Sequence, residues 1–294
     1  MSNWKAIQEE IIESGNVFDV VRRRHLAKLH KYTERNVIAY YSGWLSNEPS
    51  VDASIIDDDK NGFMMCIHGL NKKQGLDLML HTPGGDIAAT ESLVNYLRVV
   101  FDDDIRVIVP HVSMSAGTMI ACSAKQIIMG KQSNLGPIDP QIRGAAVNAI
   151  IEDVKKACDE ISEDQKYYIK WQPILSQLSP GFITQCEEAI NWAKEFVETQ
   201  LKEVMFSDDP DKEAKANKIV EYLSSFNDHK THSKHIHMEK CKEIGLNVLE
   251  LESDQSLQDL VLSVHHCFNH TLSNTNAIKI IENHTGNSCY IKRI

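Results

Sequence analysis

The chain has 294 residues, 42% apolar, 24% charged and 7% aromatic, an ordinary globular composition with ample material for a buried core. With 41 acidic against 31 basic residues the formal charge is −10, and no extended Lys/Arg block offsets it, so nucleic acid is not expected as the main partner. No stretch approaches the ~18 uncharged apolar residues of a spanning helix, and the start Met1-Ser2-Asn3-Trp4-Lys5 lacks the apolar core of a secretory signal, so membrane insertion and export are not expected.

In chain order, residues 3–31 read as one charged amphipathic helix with Ile7, Ile11, Phe18, Val21, Leu26 and Leu29 on its apolar face. Residues 36–41 are β-branched and aromatic and read as a strand. Asp57-Asp58-Asp59 favours a helix start, because carboxylates suit the positive end of the helix dipole, and Phe63, Met64, Ile67 and Leu70 follow. Residues 76–81 form the next strand, stopped by Thr82-Pro83-Gly84-Gly85, and a helix carrying Ala88, Leu93, Leu97 and Val100 runs to about Phe101. Residues 105–109 are a continuous apolar strand of parallel-sheet type; 113–124 read as a small-residue helix with Ser113 suited to its cap, and 126–129 as a strand.

This alternation predicts βαβ units on a parallel sheet. From about residue 147 the pattern is mainly helical: Ser179-Pro180 opens a long helix to about Met205, further helices cover 211–226 and 238–244, a short strand covers 246–251, and a helix over 257–272 closes the set. The expected organisation is an N-terminal helix over 1–35 and one α/β domain over 36–294, with a helical extension from about 147. Seven scattered cysteines without a C-x-x-C pair read as reduced, mostly buried thiols of a cytoplasmic protein.

Two strand-to-helix loops carry chemistry. In His81-Thr82-Pro83-Gly84-Gly85-Asp86, proline and paired glycines turn the backbone sharply and aim bare amides outward, as donors to a phosphate or to the oxygen of a tetrahedral acyl intermediate; the alternative is a plain tight turn. In Pro110–Thr118, Ser115 precedes Ala116 and Gly117, small enough to leave its hydroxyl approachable, although a serine at a helix start is also an ordinary N-cap. Facing each other across a crevice, the two loops would supply a nucleophile and an oxyanion hole.

The runs L-D-L-M-L-H-T-P-G-G-D-I-A-A-T, S-M-S-A-G-T-M-I-A and K-Q-S-N-L-G-P-I-D-P-Q resemble the Clp-fold serine peptidases, and within them the serine dehydrogenase proteinase family, related to the signal peptide peptidase A group. The resemblance implies a ClpP/crotonase-like spiral of ββα units, an acyl-enzyme mechanism and homo-oligomeric assembly. It places the nucleophile on Ser115, with Ser113 as the rival serine, and the oxyanion donors on the amides of Gly84 or Gly85 plus Ala116. It also implies a serine, aspartate, histidine order, matching Asp139 in L-G-P-I-D-P-Q and His232 in T-H-S-K-H-I.

Independently of the resemblance, no histidine occurs between Ser115 and Val220, so a histidine base must come from the C-terminal region. The rival base is lysine, as in the signal peptide peptidase A group: Lys156, or its neighbour Lys155, lies at a comparable separation but among Glu152, Asp153, Asp159 and Glu160, as on a solvated helix face. Eight histidines after residue 228 include an H-x-x-H-x-H run, but no H-E-x-x-H and no zinc-finger spacing, so neither metal nor other cofactor is expected.

The expected activity is a serine hydrolase acting on peptides or proteins. No P-loop is present, so the enzyme would be ATP-independent or assisted by a separate ATPase. A catalytically silent scaffold and a crotonase-like acyl-CoA enzyme are the alternatives.

Overall fold

The computed structural model describes residues 4–15, 17–46, 51–142, 144–225, 231 and 233–293. Its centre is a seven-stranded sheet. Strands β1 (Asn36–Ser42), β2 (Leu76–His81), β3 (Ile105–Val109), β5 (Gln126–Met129) and β10 (Val248–Glu250) run parallel and adjacent in that sequence. Helices α3 (Asp59–Ile67), α4 (Ile87–Phe101) and α5 (Ala116–Cys122) fill the crossovers between the first four, as the alternation predicts.

Strands β1, β2, β3 and β5 are buried almost throughout on both faces, which is why they read as largely apolar runs. Ile38, Tyr40, Leu76, Leu78, Leu80, Val107, Val109, Ile127 and Met129 face a core built with α3, α4, α5, α8 (Phe182–Gln200), α9 (Lys212–Ser224) and α10 (Met238–Ile244). Val37, Ala39, Tyr41, Met79, Ile108 and Ile128 alternate onto the opposite face, under α2 (Phe18–Thr33) and α11 (Gln255–Asn274).

Beyond β1 the sheet continues in the other sense. Strand β11 (Ala277–Asn283) pairs antiparallel with β1, and β12 (Ser288–Lys292) antiparallel with β11. Neither strand is anticipated by the sequence pattern, because Lys279, Glu282 and Asn283 interrupt any apolar alternation although all three are buried. A smaller sheet joins β4 (Val112–Ser113), β6 (Asn134–Leu135) and β9 (Ile236–His237).

Several boundaries differ from expectation. The first helix is two: α1 (Trp4–Glu13) ends before α2, with Gly15 at φ +78° in the break. Residues 113–115 precede α5 rather than belonging to it, so Ser113 is a strand residue and not a cap. The long helix after Ser179-Pro180 begins only at Phe182, capped by Gly181 at φ 78°, and its last turn widens to a π-helix over Leu201–Met205. All seven cysteines are free, and Cys66, Cys122, Cys186, Cys241 and Cys267 are buried. Among the described residues, no helix is long and apolar enough to cross a membrane.

Candidate active site

The site lies past the C-terminal ends of β2 and β3, where loops of a parallel sheet converge. The two loops are held side by side by an isolated bridge: Thr82 N donates to Val112 O at 3.2 Å and Met114 N to Thr82 O at 3.0 Å. This brings the glycine turn directly against Ser115. A Cβ on Gly84 would stand 2.7 Å from both Met114 O and Ser115 Cβ, so only glycine fits, and its φ of +100° requires glycine as well.

Ser115 occupies the N-cap position of α5 but makes no capping bond, and its backbone sits at φ 52°, ψ −116°. A positive φ at a non-glycine residue costs about 1–3 kcal/mol and persists only where the surroundings over-determine it. Here the fixing bonds are Gly117 N to Met114 O (2.8 Å) and Met119 N to Ser115 O (3.1 Å). Gly117 is small for packing: a Cβ there would meet the Thr82 methyl and the Ser113 hydroxyl. Ser113 itself is wholly buried, and its Oγ has no hydrogen-bond partner among the described residues.

The half-buried Ser115 opens onto a cleft of about 370 Å³. Pro83–Ile87 form one side, Met119, Ile138 and Ile142 with Ala189 and Ala193 of α8 give an apolar lining, and Ser54 closes one edge. Asp86 caps α4 through Ala89 N at 2.8 Å.

The amides divide unequally. Gly84 N–H donates to Thr82 Oγ1 at 3.2 Å, and Gly84 O accepts from Ile55 N at 2.8 Å. Gly85 N–H and Ala116 N–H, by contrast, have no acceptor among the described residues. A trans peptide sets N–H opposite to C=O. With Gly84 O anchored on Ile55, the Gly85 N–H is therefore turned away from that segment.

Asp139 is buried between Ile138 and Pro140 of the cleft wall and accepts from Gln141 Nε2 at 3.3 Å. His232 lies outside the described residues. Lys156 and Lys155 are both exposed on α6 (Val147–Glu163), and neither lines the cleft; the charge of Lys156 falls on Glu160.

Behind the turn, His81, His111 and His265 have ring centroids 5.5–5.8 Å apart. Burial, then the neighbouring His111, pushes the His81 imidazole down to about 3. Burial, then His81, holds His265 well below its ordinary value. Among the described residues no three His, Cys, Asp or Glu side chains converge as a metal site would require.

Sequence reasoning missed Thr82, Ser54, Ile55 and the two α8 alanines. Thr82 was open to detection, since a Thr hydroxyl commonly bonds the backbone amide two residues on. Contacts from 54–55 and α8 leave no local signal.

A parallel α/β sheet with a serine on a strained turn, opposed by a glycine bend, defines the ClpP-like class of architecture. A family model described as ClpP-like SDH-type serine proteinase matches residues 49–262, and the chain belongs to that family. It is also similar to two proteins of Methanocaldococcus jannaschii, each named only as uncharacterized. One is 32% identical over 191 residues, covering 65% of this chain and 59% of the relative. The other is 31% identical over 191 residues, covering 65% of this chain and 58% of the relative. The chain thus spans less than two thirds of the length of either.

Proposed function

We propose that the protein is a serine peptidase acting through an acyl-enzyme on Ser115. The observation that carries this reading is the positive-φ serine, its Cβ against Gly84, opening on a cleft edged by the amides of Gly85 and Ala116, which have no acceptor among the described residues.

Ser115 Oγ attacks the scissile carbonyl while its proton passes to a base, and the negative oxygen is received by the Gly85 and Ala116 N–H groups. The protonated base gives its proton to the leaving amine, and water then hydrolyses the ester by the same route. Of the two glycines, Gly85 is the donor and Gly84 the support, because the Gly84 amide is already bound to Thr82.

His232 is the base and Asp139 its orienting carboxylate. In the sequence, Asp139 follows β6 by four residues and His232 precedes β9 by four, and β6 and β9 are paired antiparallel. Lys156 is disfavoured by its exposure on α6. The substrate lies extended beside Gly85, whose carbonyl is free of partners among the described residues. Its acyl-side residue enters the apolar pocket bounded by Met119, Ala189 and Ala193.

The test is fluorophosphonate labelling of wild type, Ser115→Ala, His232→Ala and Lys156→Ala, with the modified residue located by mass spectrometry. Labelling is expected on Ser115 in wild type and Lys156→Ala, and lost in the other two. Persistent labelling in Ser115→Ala would overturn the nucleophile, and loss in Lys156→Ala alone would transfer the base role to lysine. Unlabelled wild type that binds a partner without turnover would make the chain a silent scaffold.

A further inference from the structure

Lys279 of β11 and Asp59, the first residue of α3, form an ion pair with essentially no exposed side-chain surface. Lys279 Nζ donates to Asp59 Oδ1 (2.7 Å) and Oδ2 (2.9 Å), and to the backbone oxygen of Ser54 (2.7 Å), so all three of its N–H bonds are used. Asp59 Oδ2 also accepts from Ile56 N at 3.0 Å and from the Tyr40 hydroxyl at 2.8 Å. Removing two charges from water costs several kcal/mol per ion, and an apolar pair of similar volume is often no less stabilising. What the charged pair supplies here is a set of directed bonds.

Two arms hold Gly84, and the first starts from those bonds. In the first, the pair grips residues 54 and 56 on either side of Ile55, and Ile55 clamps the turn: its N–H donates to Gly84 O at 2.8 Å and its carbonyl accepts from Asp86 N at 2.9 Å. In the second, Thr82 Oγ1 accepts the Gly84 N–H at 3.2 Å, while the Tyr40 hydroxyl donates to Asp59 and steadies the ion pair of the first arm. One arm holds the amide of Gly84, the other its carbonyl.

We propose that Lys279, Asp59, Tyr40 and Thr82 are positioning residues that fix the direction of the Gly85 N–H, and that transition-state stabilisation depends on them although none donates to the oxyanion. This rests on the reading of Ser115 as nucleophile and Gly85 as oxyanion donor. Loosening either arm lets the Gly84–Gly85 peptide rotate and swings the donor off the oxyanion, while the apolar pocket that binds substrate is left in place.

The experiment measures fluorophosphonate inactivation, resolving the limiting rate from the half-saturating probe concentration, in wild type, Tyr40→Phe, Thr82→Val, Thr82→Ser and Lys279→Met, with the thermal midpoint of each. For Thr82→Val the limiting rate is expected to fall about 10–10²-fold, the loss typical of a misaligned oxyanion donor, with half-saturation unchanged. Tyr40→Phe falls in the same direction by less, and Thr82→Ser, which keeps the hydroxyl, recovers most of the rate. Lys279→Met is the variant at risk of not folding, so Tyr40→Phe and Thr82→Val carry the decision. Folded Thr82→Val and Tyr40→Phe reacting at the wild-type rate would overturn this inference and leave Ser115 intact. Wild type unlabelled at Ser115 would overturn both.

Discussion

The two ends of the central sheet handle charge in opposite ways. Across β1, β2, β3 and β5, the C-terminal strand positions are neutral: Ser42, Val109 and Met129 are buried, and His81 is kept uncharged by burial. The one buried carboxylate of β2, Asp77, sits at the strand's other end, bound by Arg35 Nε (2.7 Å) and Arg106 NH2 (2.7 Å). At the antiparallel edge the reverse holds. Lys279 and Glu282 of β11 are fully buried ions, Lys279 with Asp59 and Glu282 with Arg22 and Arg23 of α2. Amide donors act most strongly on a developing negative charge in a low-dielectric, water-excluded site. The difference teaches that the sheet keeps its buried ions away from the C-terminal ends of the parallel strands, and that the edge reaches the glycine turn through hydrogen bonds by way of Ile55.

The sharpest way to break this comparison is at the edge itself. Glu282→Ala strands the Arg22 guanidinium, which has no exposed side-chain surface, with Asp19 (2.9 Å), Tyr290 and Thr271 as its remaining polar partners among the described residues. Loss of one member of a buried ion pair predicts about 3–5 kcal/mol of destabilisation by urea titration, with Ser115 labelling per folded molecule unchanged. A small loss would show that the edge is not organised by its charges.

At the cleft, Gly84→Ala forces a Cβ against Met114 O and Ser115 Cβ at a φ of +100°. The expected stability loss is about 1–3 kcal/mol, smaller than at the edge, but labelling should fall about 10²-fold or more. A labelled, folded alanine variant would refute the close apposition of the two loops.

The neutral histidines give a pH signature. His81 has its folded value depressed to about 3 from an ordinary 6.5, and His265 is depressed as well. As pH falls below 6.5 the unfolded chain takes up protons that the folded chain refuses, so stability is complete above that pH and declines toward 3. Each such histidine contributes a slope of ~1.4 kcal/mol per pH unit. Urea midpoints between pH 6.5 and 5 should fall accordingly, and less steeply in His81→Phe. A flat wild-type profile would mean that these rings are not buried as neutral groups.

The smallest effect belongs to surface charge. Glu203→Ala removes the Arg98–Glu203 pair at 3.1 Å, whose side chains are 25% and 57% exposed. It should change stability by no more than about 0.5 kcal/mol. A larger change by the same titration would blur the contrast between buried and solvated ions.

The parallel half was legible because its elements are local and redundant. Strands 76–81, 105–109 and 126–129 occur where their apolar runs predict them, and α10 occurs over its expected residues, ended by Gly245 at φ 109°. The motifs around Gly84 and Ser115 mark loops by residue type, and the resemblance to a known family added Asp139 from a third segment. What was illegible depends on partners far along the chain. Strand β11, on which β12 pairs, carries Lys279 and Glu282 at buried positions, a pattern that makes sense only once Asp59 and Arg22 are known to be there. Ser113 and Ser115 both stand at a loop-to-helix junction, and only the backbone separates them: one lies in a strand against Thr82, the other at φ 52° on the cleft.

The amino-acid sequence by itself determined the alternating α/β architecture, the family and the loops that carry reactive groups, because these follow from periodicity, turn chemistry and short contiguous motifs. Only the tertiary structure decided which glycine amide is free and what holds it. Hydrogen-bond direction depends on where Ile55, Thr82 and a buried ion pair 220 residues apart in the chain come to rest, and no local propensity encodes that.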